Sequence, residues 1–283
     1  MGRQEGEKLS DFQRRGKLLP YLINRERQER KLTNAIQAHS DKSRPLLCFI
    51  HGNDNECQDK FIEKLQAVIL PGLEPESNRN SIKASRFDCG DNIDPHIEEL
   101  HDSMRFSLGK KLLNNPYAQL EEIAQAVVRE QRLVLLYTSM YTKDWQDAGR
   151  IKLFKHFIQF WANWPHLPTQ NYYLIICISF HYTAIEKYPF WYDWLKKPTL
   201  NQEIRQAFNE QIEKILQQHQ VNGVILPELN SLEIKHVKIW AEEYLRECKD
   251  EIIPQIQKLF SSSEHRIPMD QLVGHLKQIQ QEC

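Results

Sequence analysis

Two uninterrupted apolar runs limit what this chain can fold into more than any other feature. Pro45-Leu46-Leu47-Cys48-Phe49-Ile50-His51-Gly52 and Tyr172-Tyr173-Leu174-Ile175-Ile176-Cys177-Ile178-Ser179-Phe180 show no alternation of apolar and polar residues. A strand with one wet face alternates; a strand covered on both faces does not. Both runs therefore predict central strands of a parallel sheet. Ser81–Phe87, Arg132–Thr138 and Val221–Leu226 supply three further strand-like segments. Apolar residues at helical spacing fill the intervals over 24–39, 61–69, 96–113, 119–131, 148–164 and 201–219. Strands alternating with helices imply a doubly wound α/β domain on a five-stranded, mostly parallel sheet. From Ser231 onward only helices are expected, over 232–246, 250–261 and 269–280. The division read from this pattern is a flexible start over 1–16, an α/β domain over 17–230 and a C-terminal helical segment over 231–283.

Composition narrows the function classes. Lysine plus arginine number 37 and aspartate plus glutamate 38, a formal net charge of -1. That balance argues against a general nucleic-acid coat or a polybasic membrane clamp. The basic excess over 1–44, eleven cations against six acids, reads as a solvated helix face. Six cysteines contain no Cys-x-x-Cys pair, and several lie in apolar strands, as reduced thiols of a cytoplasmic protein would. No apolar stretch reaches the ~18 residues of a membrane span, and the start is polar.

In an open parallel sheet, ligands bind beyond the carboxyl ends of the strands, which directs attention to the loop after the first strand. A phosphate-cradling P-loop reads Gly, four residues, then Gly-Lys-Ser/Thr. Here Gly52 occupies the first position, but Cys57 stands for the second glycine, Gln58 for the lysine and Asp59 for the hydroxyl residue. Asp54, Glu56 and Asp59 bring three negative charges where a polyanion would sit. Like charges ~4 Å apart repel by about 4 kcal/mol at an effective dielectric of 20. Lys60 comes two positions late, roughly 200° around a helix from the lysine slot. Phosphate binding in the usual mode is expected to be lost. The strand next to the first should carry an acid at its tip for magnesium; the candidate strand ends Leu136-Tyr137-Thr138-Ser139-Met140 and has none. The strand ending Ser179-Phe180-His181 offers a polar tip with no general base paired to a nucleophile.

These residues carry a family resemblance. The chain resembles the inactive branch of the STAND superfamily, signal-transducing P-loop ATPases with numerous domains. The resemblance rests on Leu19-Pro20-Tyr21-Leu22 with Gln28-Glu29, on Pro45 to Gly52, on Glu56-Cys57-Gln58-Asp59-Lys60-Phe61, and on Leu226-Pro227-Glu228-Leu229 with His236-Val237 and Trp240-Ala241. It covers roughly 17–246. It implies a P-loop NTPase-like fold without hydrolysis, no catalytic residue, no cofactor and no metal. It also implies a module of bacterial conflict signalling whose partner is a protein, such as an effector or effector-associated adaptor. A non-hydrolysing nucleotide switch is the alternative reading.

Other constellations read as structural. His51 and Cys57 alone make neither a catalytic pair nor a zinc site, and His51 suits the end of a buried strand. Cys89, Asp91, Asp94, His96 and His101 could serve a metal-dependent hydrolase or nuclease; a turn followed by a capped helix explains them as well. Glu228, at the end of the last strand, is expected to anchor the following connection by pairing with a basic residue. The aromatic stretch Phe190–Trp194 suits a sheet-edge loop or a partner ridge.

Overall fold

The computed structural model describes residues 19–23, 25–39, 41, 43–73, 82–87, 97–130, 133–142, 150–166, 173–183, 201–202, 205–206, 210–246, 249–261 and 266–282. The expected flexible start, the Cys89–His96 group and the aromatic stretch 190–194 lie outside them.

A 3-10 turn at Leu19–Leu22 leads into α1 (Glu26–Ala38), then β1 (Leu46–Asn53). After a 3-10 turn at Asp54–Glu56 comes α2 (Gln58–Lys64), which runs on through a π-turn at Leu65–Ile69 and a last turn at Leu70–Leu73. There follow β2 (Ile82–Arg86), α3 (Ile97–Leu113), α4 (Leu120–Glu130), β3 (Leu133–Tyr141), α5 (Arg150–Ala162), β4 (Tyr173–Tyr182), α6 (Ile212–Gln218) and β5 (Gly223–Ile225). The sheet order is β2-β3-β4-β1-β5 and every pairing is parallel. This is the α/β architecture on a five-stranded parallel sheet that alternating strands and helices imply.

The two runs take two of the three positions flanked on both sides. β4 lies between β3 and β1, and β1 between β4 and β5. Their side chains divide by parity. Leu47 and Phe49 join Ile176 and Ile178 on one face, against Phe87, Met104, Ile123, Phe157, Trp161 and Trp164. Cys48 and Ile50 join Ile175 and Cys177 on the other, against Leu32, Ile36, Phe61, Ile62 and Leu65. Covering both faces explains why neither strand alternates.

The C-terminal part departs from the all-helical expectation. It contains β6 (Leu232–Glu233), α7 (Ile234–Tyr244), α8 (Lys249–Ser261), β7 (Arg266–Ile267) and α9 (Met269–Glu282), with β6 and β7 paired antiparallel. Two-residue strands have too few positions to show a period, so sequence pattern could not reveal them. This part has its own apolar cluster around Val237, Trp240, Ile256, Phe260, Leu272 and Leu276, which takes in Ile23 from the chain's beginning.

Two residues near the tip of β1 fasten it to its surroundings. Gly52 bridges to Leu229 in the connection after β5, whose amide donates to the His51 carbonyl at 2.8 Å. A β-carbon at Gly52 would lie 2.6 Å from the Leu229 carbonyl oxygen and 2.9 Å from its Cβ. His51 is buried and spans two elements: its Nε2 donates to the Leu226 carbonyl at 3.0 Å, and its Nδ1 accepts from the Tyr182 hydroxyl at 2.8 Å. With these partners both nitrogens are satisfied in the neutral ring. Burial accordingly pulls its pKa down to about 4.

Two expectations follow. Between pH 6.5 and about 4 the unfolded chain binds a proton that native His51 refuses, so stability is full above pH 6.5 and is lost as pH falls through this window. The loss amounts to at most roughly 3 kcal/mol. Denaturation curves collected from pH 7 to 4 should show it, with a shallower slope for His51→Gln. In the same assay Gly52→Ala should destabilise by about 1–3 kcal/mol through overpacking. Gly274→Ala, in α9 with open space around it, should be neutral or stabilise by about 0.4–1 kcal/mol.

Candidate functional site

The loop from β1 to α2 is closed from within. Gln58, in the lysine position of a phosphate loop, is fully buried, and its Nε2 donates to the carbonyls of Gly52 (2.8 Å) and Asn53 (2.9 Å). An amide that ties down the loop's own carbonyls has nothing to offer a phosphate. Cys57, at the second glycine position, holds the left-handed conformation a glycine would adopt freely, with φ 56°. Its side chain packs against the C-terminal apolar cluster. Burial first, then the charges of Asp270 and Glu56, pushes its thiol up to about 11. That leaves a packing group rather than a nucleophile. Lys60 turns away, as its helical position predicts: its Nζ meets Glu63 at 2.6 Å and lies 5.7 Å from the centre of the Tyr21 ring. Helix α9 covers the loop's 3-10 turn from outside.

The expected trio of repelling acids is corrected in one member. Glu56 carries no uncompensated charge toward the loop. Its side chain is fully buried, its Oε2 accepts from Arg25 at 3.0 Å and its Oε1 from Ser231 at 3.0 Å. Arg25 also donates to the Asn230 carbonyl at 2.5 Å. Burial raises the Glu56 pKa, with Arg25 and Ser231 opposing part of the rise. One buried pair thus joins the lead-in to α1, the phosphate-loop position and the connection after β5. The remaining acids, Asp54 and Asp59, face the strand tips.

Those tips differ from expectation in two ways. The strand beside β1 is β4, not the Leu133–Tyr141 strand, because a buried run gives no clue to its neighbour. Nor does His181 stand apart from a hydroxyl. Its Nε2 lies 3.3 Å from Ser179 Oγ and its Nδ1 3.1 Å from Asp54 Oδ1. The contacts continue from Ser179 Oγ to Ser139 Oγ (3.0 Å) and from Ser139 Oγ to Asp59 Oδ1 (2.7 Å). Desolvation, larger than the opposing pull of Asp59 and Asp54, lowers the His181 pKa, and the ring stacks on Tyr141 with centroids 4.4 Å apart. Acid, imidazole and hydroxyl are in triad order, yet Ser179 is fully buried and also within 3.2 Å of the Thr138 carbonyl. No substrate carbon can approach it, and acyl transfer needs that approach.

Glu228 and His101 have partners within the fold. Glu228 pairs with Arg205 at 2.9 Å, and Arg205 in turn reaches Asn53 Oδ1 at 2.9 Å and lies over the Tyr182 ring. His101 Nε2 donates to the His156 carbonyl at 2.8 Å and its ring packs on Phe160. Among the described residues, no group of three or more His, Cys, Asp or Glu is arranged to hold a metal ion. Sequence reasoning missed Arg25, Ser139 and Arg205, whose partners are 23 to 205 residues away. Arg25 directly follows the apolar Leu22-Ile23 pair and an asparagine, a weak local signal at best.

No curated protein matches the sequence. Among solved structures, 23 chains match. One is the structure of the Aeropyrum pernix ORC1 protein in complex with DNA, at 11% identity and a TM-score of 0.39, aligned over 89% of this chain and 58% of that one. This chain therefore spans little more than half that protein's length. The family model described as inactive STAND matches residues 20–179, more than half of the chain, from the lead-in to α1 into β4. The chain belongs to the inactive STAND family.

Proposed function

We propose that this protein works by binding rather than turnover, as a scaffold or sensor-adaptor that engages a protein partner in bacterial conflict or immune signalling. In this reading the partner is an effector or an effector-associated adaptor, and the site of action is the cytoplasm. Residues 17–230 form the scaffold, and residues 231–283 form the helical segment that covers its loop. Among the described residues no helix is long and apolar enough to cross a membrane.

One observation carries the reading: Gln58 fills the interior of the loop that would hold a polyphosphate. Phosphoryl transfer depends on a lysine, a metal-holding hydroxyl and an acid at a strand tip. This chain has Gln58 and Asp59 at the first two places, and neither Ser139–Tyr141 at the end of β3 nor Ser179–Tyr182 at the end of β4 contains an acid. A sheet freed from turnover keeps its shape and its loops, which is what recognition of another protein requires. The description of the family as inactive agrees.

The test is calorimetric. ATP, GTP and cyclic oligonucleotides, with and without magnesium, should give no binding heat up to about 1 mM, equivalent to a free energy weaker than about -4 kcal/mol. Phosphate release should stay at background. Micromolar binding of any of them would replace this reading with the non-hydrolysing switch.

The buried pair behind the loop generates a second expectation. Glu56→Ala leaves Arg25, whose side chain is only 8% exposed, without its counter-charge. It should cost about 3–5 kcal/mol in chemical denaturation, whereas replacing both residues together, Arg25→Met with Glu56→Leu, should recover most of that loss. Equal losses from the single and double changes would show that the pair has no special role.

A further inference from the structure

Among the described residues five large apolar side chains are left exposed, and three of them share the end of α3 and the turn after it. Phe106 is 46% exposed, Leu113 37% and Tyr117 81%. Phe106 and Leu113, seven residues apart, lie within about 20° of one another around the helix. The Tyr117 ring stands edge-on to Phe106, with centroids 6.4 Å apart and planes at 88°. A single exposed apolar residue needs no explanation, whereas a cluster of them marks a contact surface.

The exposure of Tyr117 is built into the backbone. Asn114 takes the left-handed conformation that ends α3, with φ 53°, and the Asn115 amide donates back to the Gly109 carbonyl at 3.1 Å. Asn115 Oδ1 then accepts from the Tyr117 amide at 3.1 Å, and the Asn115 carbonyl accepts from the Ala118 amide at 3.3 Å. A β-carbon at Gly109 would lie 2.5 Å from that carbonyl, so the turn closes only over glycine. Ala118 is fully buried and pins the chain one residue beyond Tyr117. The ring is thus held outward by a tied turn. A large side chain presented on a fixed backbone loses little entropy on binding, which is why tyrosine recurs at the centres of interfaces.

The charges around this patch select its occupant. Around α3, Gly109 lies about 60° to one side of Phe106 and Lys110 about 40° to the other. The turn and α4 pack on the Gly109 side, so Lys110 stands on the opposite flank. The α4 flank carries Glu121 and Glu122, both exposed. Glu122 accepts from the Gln119 amide at 2.8 Å, and Arg105 is answered by Asp102 at 3.0 Å. Lys110 and Glu121 form no ion pair among the described residues. An apolar centre with a cation on one flank and an anion on the other is complementary to itself. Turned about a two-fold axis through the patch, a second copy sets each lysine against a glutamate. A partner of one sign would meet a like charge, and a nucleic acid would meet both glutamates. We propose that this chain forms a two-fold dimer through Phe106, Leu113 and Tyr117, with Lys110 set against Glu121 of the partner subunit. The three apolar residues offer on the order of 300 Å² per copy, against about 800 Å² per partner in a tight complex. The dimer is therefore weak and concentration-dependent, and the rim charges fix its orientation more than its affinity. The inference concerns α3 and α4 and stands apart from the reading of the β1–α2 loop.

Sedimentation velocity of the full chain from about 5 to 500 µM should show a monomer passing reversibly into a dimer. Tyr117→Ser should weaken the dimer by about tenfold or more. Tyr244→Ser, an exposed aromatic on α7 outside the patch, should leave it unchanged. Lys110→Glu alone and Glu121→Lys alone should each weaken it by about threefold. An equimolar mixture of those two variants should associate more tightly than either alone, because each charge then meets its opposite. Amide shifts of the unaltered protein on dilution need no variant, and should centre on residues 106–122. A chain that stays monomeric throughout overturns the inference. So does a dimer indifferent to Tyr117→Ser, a mixture no tighter than its components, or shifts centred elsewhere. Any of these results, together with absence of ATP binding, removes the dimer and leaves the scaffold reading in place.

Discussion

The buried contact between Arg25 and Glu56 is the constraint around which the loop region is arranged. Removing two full charges from water is expensive, and the cost is met only when geometry and extra hydrogen bonds satisfy both ions. Glu56 is satisfied by Arg25 and Ser231, and Arg25 by Glu56 and the Asn230 carbonyl. Neither group tolerates the absence of the other. Three parts of the chain distant in sequence, Arg25, the loop at 54–58 and the connection at 229–231, must therefore assemble together. The Leu229 amide on the His51 carbonyl and the close approach of Gly52 to Leu229 reinforce the same junction.

That junction explains why the substitutions in the loop are mutually consistent. In an open phosphate loop the glycine positions let the backbone wrap a ligand. Here the ligand's place is taken by side chains of the loop itself. Gln58 holds the carbonyls from inside, Cys57 meets the C-terminal apolar cluster from outside, and α9 lies over the turn between them. Gly52 is retained for a different reason, since Leu229 leaves no room for a β-carbon. Its presence therefore says nothing about phosphate. The same residue type at the same position serves two unrelated physical demands.

The sheet was legible in the sequence because continuous apolar runs have one dominant cause, burial on both faces. β1 and β4 run close to where those runs predict, and the helices between strands follow their apolar spacing. Strand order was not legible, since Leu135, Ile175 and Cys48 look alike whichever neighbour they meet. The damage to the phosphate loop could be read from residue types alone, but its closure could not. That closure depends on Arg25, Ser231 and Leu229, which are brought to the loop only by the folded topology. Glu56 shows the limit most clearly: its charge could be counted from the sequence, whereas its partner could not be named.

The polar chain from Asp54 through His181, Ser179 and Ser139 to Asp59 shows the same distinction between composition and arrangement. Its order matches that of a nucleophilic triad, and residue types alone would invite that reading. Burial decides otherwise. A serine with no exposed surface, held at the centre of a sheet by neighbouring strands, can stiffen the strand tips but cannot meet a substrate. Ser139 and the two acidic ends keep exposed surface, and the buried Ser179 and His181 between them set where those carboxylates stand.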